Sequence, residues 1–181
     1  MSFNADVSRF AKRIHVNQGE HFASGDPEVC LTAILGSCVA ICLYDPAMKV
    51  GGMNHFLLPE NPDSVHDAHG RYGAYLAELL INDLMSLGAI KSRLEAKVFG
   101  GGKMFQGLRD VGATNAAFAK KFLMDEGIPV LGGSTEGTSA RRVEFWPTTG
   151  RAFQKFVSQE MPPPPPPKPV FETSIGDVEL F

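Results

Sequence analysis

Apolar and polar positions change their period several times along this chain, and each change marks an element. Val39, Ile41 and Leu43 alternate with Ala40, Cys42 and Tyr44, the period of two expected of a β-strand. Asp45-Pro46 closes that strand with turn chemistry. Gly51 to Leu58 reads as its return partner, stopped by Pro59. Arg13–Val16 and Val29–Ile34 are further short strands, and residues 60–70 read as loop. From Arg71 to Leu87 the period lengthens. Tyr72, Tyr75, Leu76, Leu79, Leu80, Leu84 and Leu87 recur every three or four residues, which predicts a helix with one core-facing stripe and Gly88 as its terminator. Leu94–Phe99 returns to strand character and runs into Gly100-Gly101-Gly102. A second helix is predicted over Asn115–Glu126, ended by Gly127. Ile128–Leu131 and Arg142–Trp146 complete the strands, on either side of a Gly/Ser/Thr-rich loop. Phe105, Phe118, Phe122 and Trp146 are expected in the core.

The tail breaks the pattern. Pro162 to Pro167 is an uninterrupted hexaproline; lacking amide donors it is excluded from a sheet interior and favours a polyproline II spacer. The natural division is one domain over 1–160 and a proline-rich, flexible tail over 161–181. The final VFETSIGDVELF reads as a disordered or weakly docked end ahead of a partner-binding peptide or a docked terminal strand. The 181 residues suffice for one domain with a substantial core.

Charge narrows the function classes. Seventeen Lys and Arg against 20 Asp and Glu give a formal net charge of −3, which argues against a dedicated nucleic-acid binder. Lys120-Lys121 and Arg141-Arg142 are expected to be solvated surface. The N-terminal residues lack the continuous apolar core of a secretory signal, and no run approaches the roughly 18 apolar residues of a membrane span. Three cysteines without a CxxC pair suit a reducing compartment. The expectation is a cytoplasmic protein without membrane insertion.

Candidate chemistry concentrates between Thr32 and Pro59. Cys38 follows a Gly36-Ser37 turn, and His55 comes 17 residues later (55 − 38). If the flanking strands pair, a sulfur nucleophile and an imidazole base meet in space. The imidazole takes the thiol proton and returns it to the leaving group, and amides around Gly36, Ser37 and Cys38 would hold an oxyanion if the turn aims them inward. The bland alternative is a small buried cysteine and a satisfied core histidine. Cys30 and Cys42 read as structural. Gly100-Gly101-Gly102-Lys103 lacks the GxxxxGK[ST] spacing of a phosphate loop and reads as a tight turn near the site. His66 and His69, with Asp67 nearby, read as loop surface rather than a metal site.

The residues also carry a resemblance. Thr32, the LGSCV run at 35–39, Asp45, Gly52, Asn54-His55 and Leu58-Pro59 look like the signature of the CheD family of bacterial chemotaxis proteins, which act as chemoreceptor glutamine deamidases. It continues through VFGGGKMF at 98–105, Gly112 with Asn115, and FWPTTGR at 145–151. The resemblance spans roughly residues 10–157. Around STEGTSARR the chain departs from the family pattern, leaving open which of Arg141 and Arg142 takes the family position.

The resemblance implies a site of Cys38, His55 and Thr32, with Thr32 supporting the histidine. It implies amide hydrolysis through a thioester, with no metal or organic cofactor, and extends to glutamyl methyl esters through the same acyl-enzyme. The implied partners are the helical cytoplasmic bundle of methyl-accepting chemoreceptors and a CheC-type phosphatase. The implied fold is α/β (α+β by stricter labelling), a mixed or antiparallel sheet layered with helices, resembling the deamidase domain of cytotoxic necrotizing factor toxins. A helical substrate makes an open cleft more useful than a deep pocket. The rival reading is a non-catalytic binding module for receptor or phosphatase; a third is a cysteine peptidase or amidase acting on small substrates.

Overall fold

The computed structural model describes residues 12–58, 68–104 and 110–157, apart from the side chains of 68–71. The described chain forms β1 (Lys12–His15), β2 (His21–Ser24), β3 (Val29–Leu35), β4 (Val39–Asp45), β5 (Val50–Asn54), α1 (Ala68–Ser86), a 3₁₀ turn at Lys91–Arg93, β6 (Glu95–Gly100), α2 (Val111–Asp125), β7 (Val130–Thr135), β8 (Arg141–Trp146) and β9 (Arg151–Phe156). The predicted strands and both helices are present with shifted ends; β2, β9 and the 3₁₀ turn are additions.

Two mixed sheets form, in the orders β1-β3-β8-β9 and β2-β5-β4-β6-β7. Only the β1–β3 and β6–β7 pairs are parallel; the other named pairs are antiparallel. The result is a three-layer α+β arrangement of sheet, sheet and helices. Its central strand, β4, shows why the alternation reads so clearly. Val39, Ile41 and Leu43 face the helices in one apolar cluster, while Ala40 and Cys42 face the other sheet in a second. The period of two therefore separates two dry faces rather than a dry face from a wet one.

The helix α1 buries a different track from the predicted stripe. Leu76, Leu80 and Leu84 are buried as expected, but Ala77 and Ile81 complete the contact, while Tyr72, Tyr75 and Leu87 are exposed. Spacings of three and four fit two adjacent tracks equally well, and the small Ala77 hides the true one. Each fully buried leucine contributes about 1.5–3 kcal/mol.

Two further expectations are corrected. Trp146 belongs to neither core cluster; it lies half-buried on the outer face of the first sheet, edge-to-face with Phe153. Arg141 is not solvated surface but 1% exposed, whereas Arg142 is exposed. The register pairs Leu35 with Arg141, which puts Arg141 on the inner face of its sheet. Phe122 is buried and Phe118 packs against the helix-side cluster, as expected. Phe105, His66, Asp67, the side chain of His69 and the proline-rich tail lie outside what is described.

Asp45 anchors the β4–β5 hairpin. Fully buried, it accepts from the N–H groups of Ala47, Met48 and Ile90 and from the Arg93 guanidinium. Burial opposes its charge, but Arg93 and those amides outweigh burial and hold the carboxyl well below the usual range. Among the described residues no helix is long and apolar enough to cross a membrane.

Candidate active site

The hairpin register brings Cys38 and His55 to one face. Val39 and Phe56 exchange backbone hydrogen bonds of 2.9 Å in both directions, and Cys42 pairs with Met53. In that register Ala40 stands opposite His55 and Cys38 stands opposite Leu57. Cys38 and His55 are therefore diagonal neighbours on the face turned toward the other sheet, with no hydrogen bond between the sulfur and Nε2. Ala40, Cys42 and Met53 share this face, and Cys38 packs partly buried against them.

The loop before Cys38 is held by backbone contacts. Gly101 N–H donates to Cys38 C=O at 2.8 Å, and Gly102 N–H donates to Gly36 C=O at 2.8 Å. At Gly100, with φ +103°, an added Cβ would lie 2.1 Å from the Cys38 carbonyl oxygen, so only glycine fits. The triple glycine is thus the tight turn expected beside the site. Behind it, Asn115 on α2 is fully buried; its Nδ2 donates to Ser37 C=O at 2.9 Å and its Oδ1 accepts from Leu58 N–H at 3.0 Å. One side chain thus ties the cysteine loop to the residues that follow His55.

His55 is 5% exposed, and its ring is fixed by the segment between β1 and β2. Nδ1 lies 2.9 Å from the Val16 carbonyl oxygen; because a carbonyl only accepts, Nδ1 carries the proton. Nε2 is then the basic nitrogen, buried and without a hydrogen-bond partner among the described residues. The main chain is gripped as well. His55 N–H donates to Glu20 C=O at 3.0 Å, and Gly19 N–H donates to His55 C=O at 2.7 Å. Burial lowers the His55 pKa, with the Val16 hydrogen bond opposing it. Burial raises the Cys38 thiol, opposed by its own backbone amide. At neutral pH the two groups therefore rest as neutral thiol and neutral imidazole.

Thr32 stands apart from the imidazole of His55. Its Oγ1 lies 3.2 Å from Nδ1 of His15 and 3.5 Å from the Ile14 carbonyl oxygen, while the inward positions of β3 are Leu31, Ala33 and Leu35. The link to His55 runs through the backbone: Val16 N–H donates to Thr32 C=O at 2.8 Å, and the Val16 carbonyl in turn accepts from His55. Val16 thus makes the contact expected of the Thr32 hydroxyl. No side-chain property marks such a residue, since any amino acid supplies a carbonyl.

Gln18 is a second residue that sequence reasoning passed over. Cys38 Sγ–H donates to its Oε1 at 3.5 Å. A polar residue in a short turn looks like ordinary surface, and only the register brings it to the sulfur. The other two cysteines are buried and structural in placement; burial pushes the Cys30 thiol up to about 11 and the Cys42 thiol further still, away from nucleophilic use. Among the described residues no cluster of three metal-ligating side chains occurs. An open groove of about 470 Å³ runs beside the site, lined by the segment from Ile14 to Val16 and from Gly19 to Phe22.

The chain as a whole is similar to known proteins. The family described as CheD chemotactic sensory transduction matches residues 57–156. A protein of Caulobacter vibrioides strain NA1000 / CB15N, named probable chemoreceptor glutamine deamidase CheD, is 54% identical over 99% of this chain and 99% of its own length. Proteins of the same name are 55% identical in Rhizobium rhizogenes, over 88% of this chain and 93% of the relative, and 49% identical in Acidiphilium cryptum, over 95% of each. Among solved structures, the Bacillus licheniformis hypothetical protein YfiH is similar at 14% identity and TM-score 0.42, covering 72% of this chain and 62% of that one.

Proposed function

This chain belongs to the CheD family, and from that premise we propose that it hydrolyses side-chain amides of chemoreceptor glutamines to glutamate, with Cys38 as nucleophile and His55 as acid and base. The observation that carries the reading is the state of His55: Nδ1 is committed to the Val16 carbonyl, and buried Nε2 has an unused lone pair on the face that Cys38 shares.

The steps follow from those positions. Nε2 takes the Cys38 proton as sulfur attacks the glutamine carboxamide carbon. The tetrahedral intermediate collapses as imidazolium protonates the departing nitrogen, so ammonia leaves and a thioester remains. Nε2 then takes a proton from water, hydroxide adds to the thioester, and glutamate and the Cys38 thiol are released. A neutral resting pair suits this sequence, because the base must be unprotonated when attack begins. Thr32 acts as a positioning residue: its carbonyl and Oγ1 tie the end of β1 to β3, and that strand end carries the Val16 carbonyl. The work takes place in the cytoplasm, on exposed helical surface reached through the open groove, and it tunes chemotaxis signalling.

Mass spectrometry of a purified receptor cytoplasmic fragment incubated with the protein tests the proposal. Each deamidated site gains about one dalton, and Cys38→Ala is expected to abolish the gain at unchanged folding. Conversion by that variant at the wild-type rate would remove Cys38 from the mechanism.

A further inference from the structure

We infer that Gln18 is a catalytic residue, its carboxamide serving with the Cys38 backbone amide as the oxyanion hole for carbonyl substrates attacked by Cys38. The inference rests on Cys38 being the nucleophile. Among the described residues the one side-chain hydrogen bond of Gln18 is to the Cys38 sulfur, at 3.5 Å. Its own turn makes no use of the carboxamide: Glu20 Oε2 accepts from Asn17 N–H and Nδ2, and Glu20 N–H donates to Asn17 C=O.

The turn is not a free loop. Its Gly19 N–H and Glu20 C=O grip the two backbone groups of His55, and Val16, two residues before Gln18, orients the imidazole. One five-residue segment thus sets the tautomer of the base and delivers a carboxamide to the nucleophile. A group fixed relative to both partners is positioned before the reaction, as oxyanion stabilisation requires.

The chemistry of the carboxamide fits the change in charge. In the resting state the sulfur carries a proton, and Oε1 accepts it. Once that proton has moved to His55 and sulfur has attacked, negative charge sits on the substrate oxygen beside the Cys38 amide. A half-turn of the Gln18 amide then presents Nε2–H, a donor, from the same position. The Cys38 amide also favours the charged sulfur, offsetting part of the rise in the thiol's pKa. Two donors converging next to the nucleophile are what acyl transfer needs.

Two reactions of Cys38 in the full chain separate this role from a structural one. Acylation by p-nitrophenyl acetate passes through an oxyanion; alkylation by iodoacetamide does not. Gln18→Ala and the similarly sized Gln18→Met are expected to slow acylation about 100-fold and to leave alkylation, measured on its high-pH plateau, within about threefold. A parallel loss in both reactions, unchanged acylation, or faster acylation from an unblocked sulfur would each overturn the inference. Because neither probe is a receptor, an inactive wild type on receptor fragments would count against the substrate proposal and leave this result standing.

Discussion

Burial acts in opposite directions on the proposed nucleophile Cys38 and the proposed base His55, and the expected pH behaviour follows from that. The Cys38 thiol is raised and the His55 imidazole lowered, both chiefly by removal from water. An ion pair of thiolate and imidazolium is therefore not the resting state. Alkylation needs the thiolate, so its rate is expected to climb about tenfold per pH unit through neutrality, with a midpoint above the ordinary thiol value of about 8.5. Turnover needs only neutral His55, which takes the proton during attack. Because the imidazole value is lowered, the acid limb of kcat/KM is expected below about pH 6.5. Between about pH 6.5 and 8, deamidation should stay nearly flat while alkylation rises. An alkylation midpoint below pH 7 would contradict the neutral-pair assignment.

At the scale of elements, Asn115 shows how a helix holds a loop. Its two amide ends serve two backbone groups, Ser37 C=O and Leu58 N–H, from the first turns of α2. Asn115→Ala leaves both without that partner in a buried setting and is expected to cost about 2–3 kcal/mol, read by urea denaturation, together with a fall in kcat. Asn115→Asp keeps the acceptor toward Leu58 but sets a carboxylate against the Ser37 carbonyl, so it is not expected to restore either. The position of Asn115 was legible through the resemblance, as were Cys38 and His55, whose side chains carry the proposed chemistry. The contacts of Asn115 were not legible, because they depend on where α2 packs. Val16 and Gln18 left no signal, one acting through its backbone and the other sitting in a polar turn. Likewise β9, RAFQKF, is exposed at nearly every position, so it shows no apolar alternation to read. Long buried strands such as β4 announced themselves because both faces are apolar.

At the scale of the whole molecule, the site depends on how the two sheets meet, and Arg141 makes that junction. From β8 in one sheet its Nη1 donates to the carbonyl and hydroxyl of Ser134 on β7 in the other, at 2.5 and 2.9 Å, and its Nη2 donates to the Glu136 carbonyl. The ring of Phe156 lies 5.4 Å from its guanidinium carbon. No carboxylate is among these partners, so carbonyl and hydroxyl dipoles and an aromatic face carry the buried charge, and all depend on the fork of the guanidinium. The segment that Arg141 fixes then supports the Cys38 loop in a short relay. Glu136 N–H donates to Gly100 C=O, and Lys103 N–H donates to Gly137 C=O. The glycine turn between those points holds Gly36 and Cys38. This placement also makes Arg141, rather than exposed Arg142, the arginine that the architecture requires. Arg141→Lys is therefore not a conservative change, since one ammonium lacks the fork that engages Ser134 and Glu136 together. It is expected to cost about 2–3 kcal/mol in urea denaturation, whereas Arg142→Lys should stay within about 0.5 kcal/mol. Acylation of Cys38 should fall in Arg141→Lys under conditions where the variant is still fully folded, because the relay ends at Cys38. Loss of stability with unchanged acylation would show that the sheet junction and the Cys38 loop are independent.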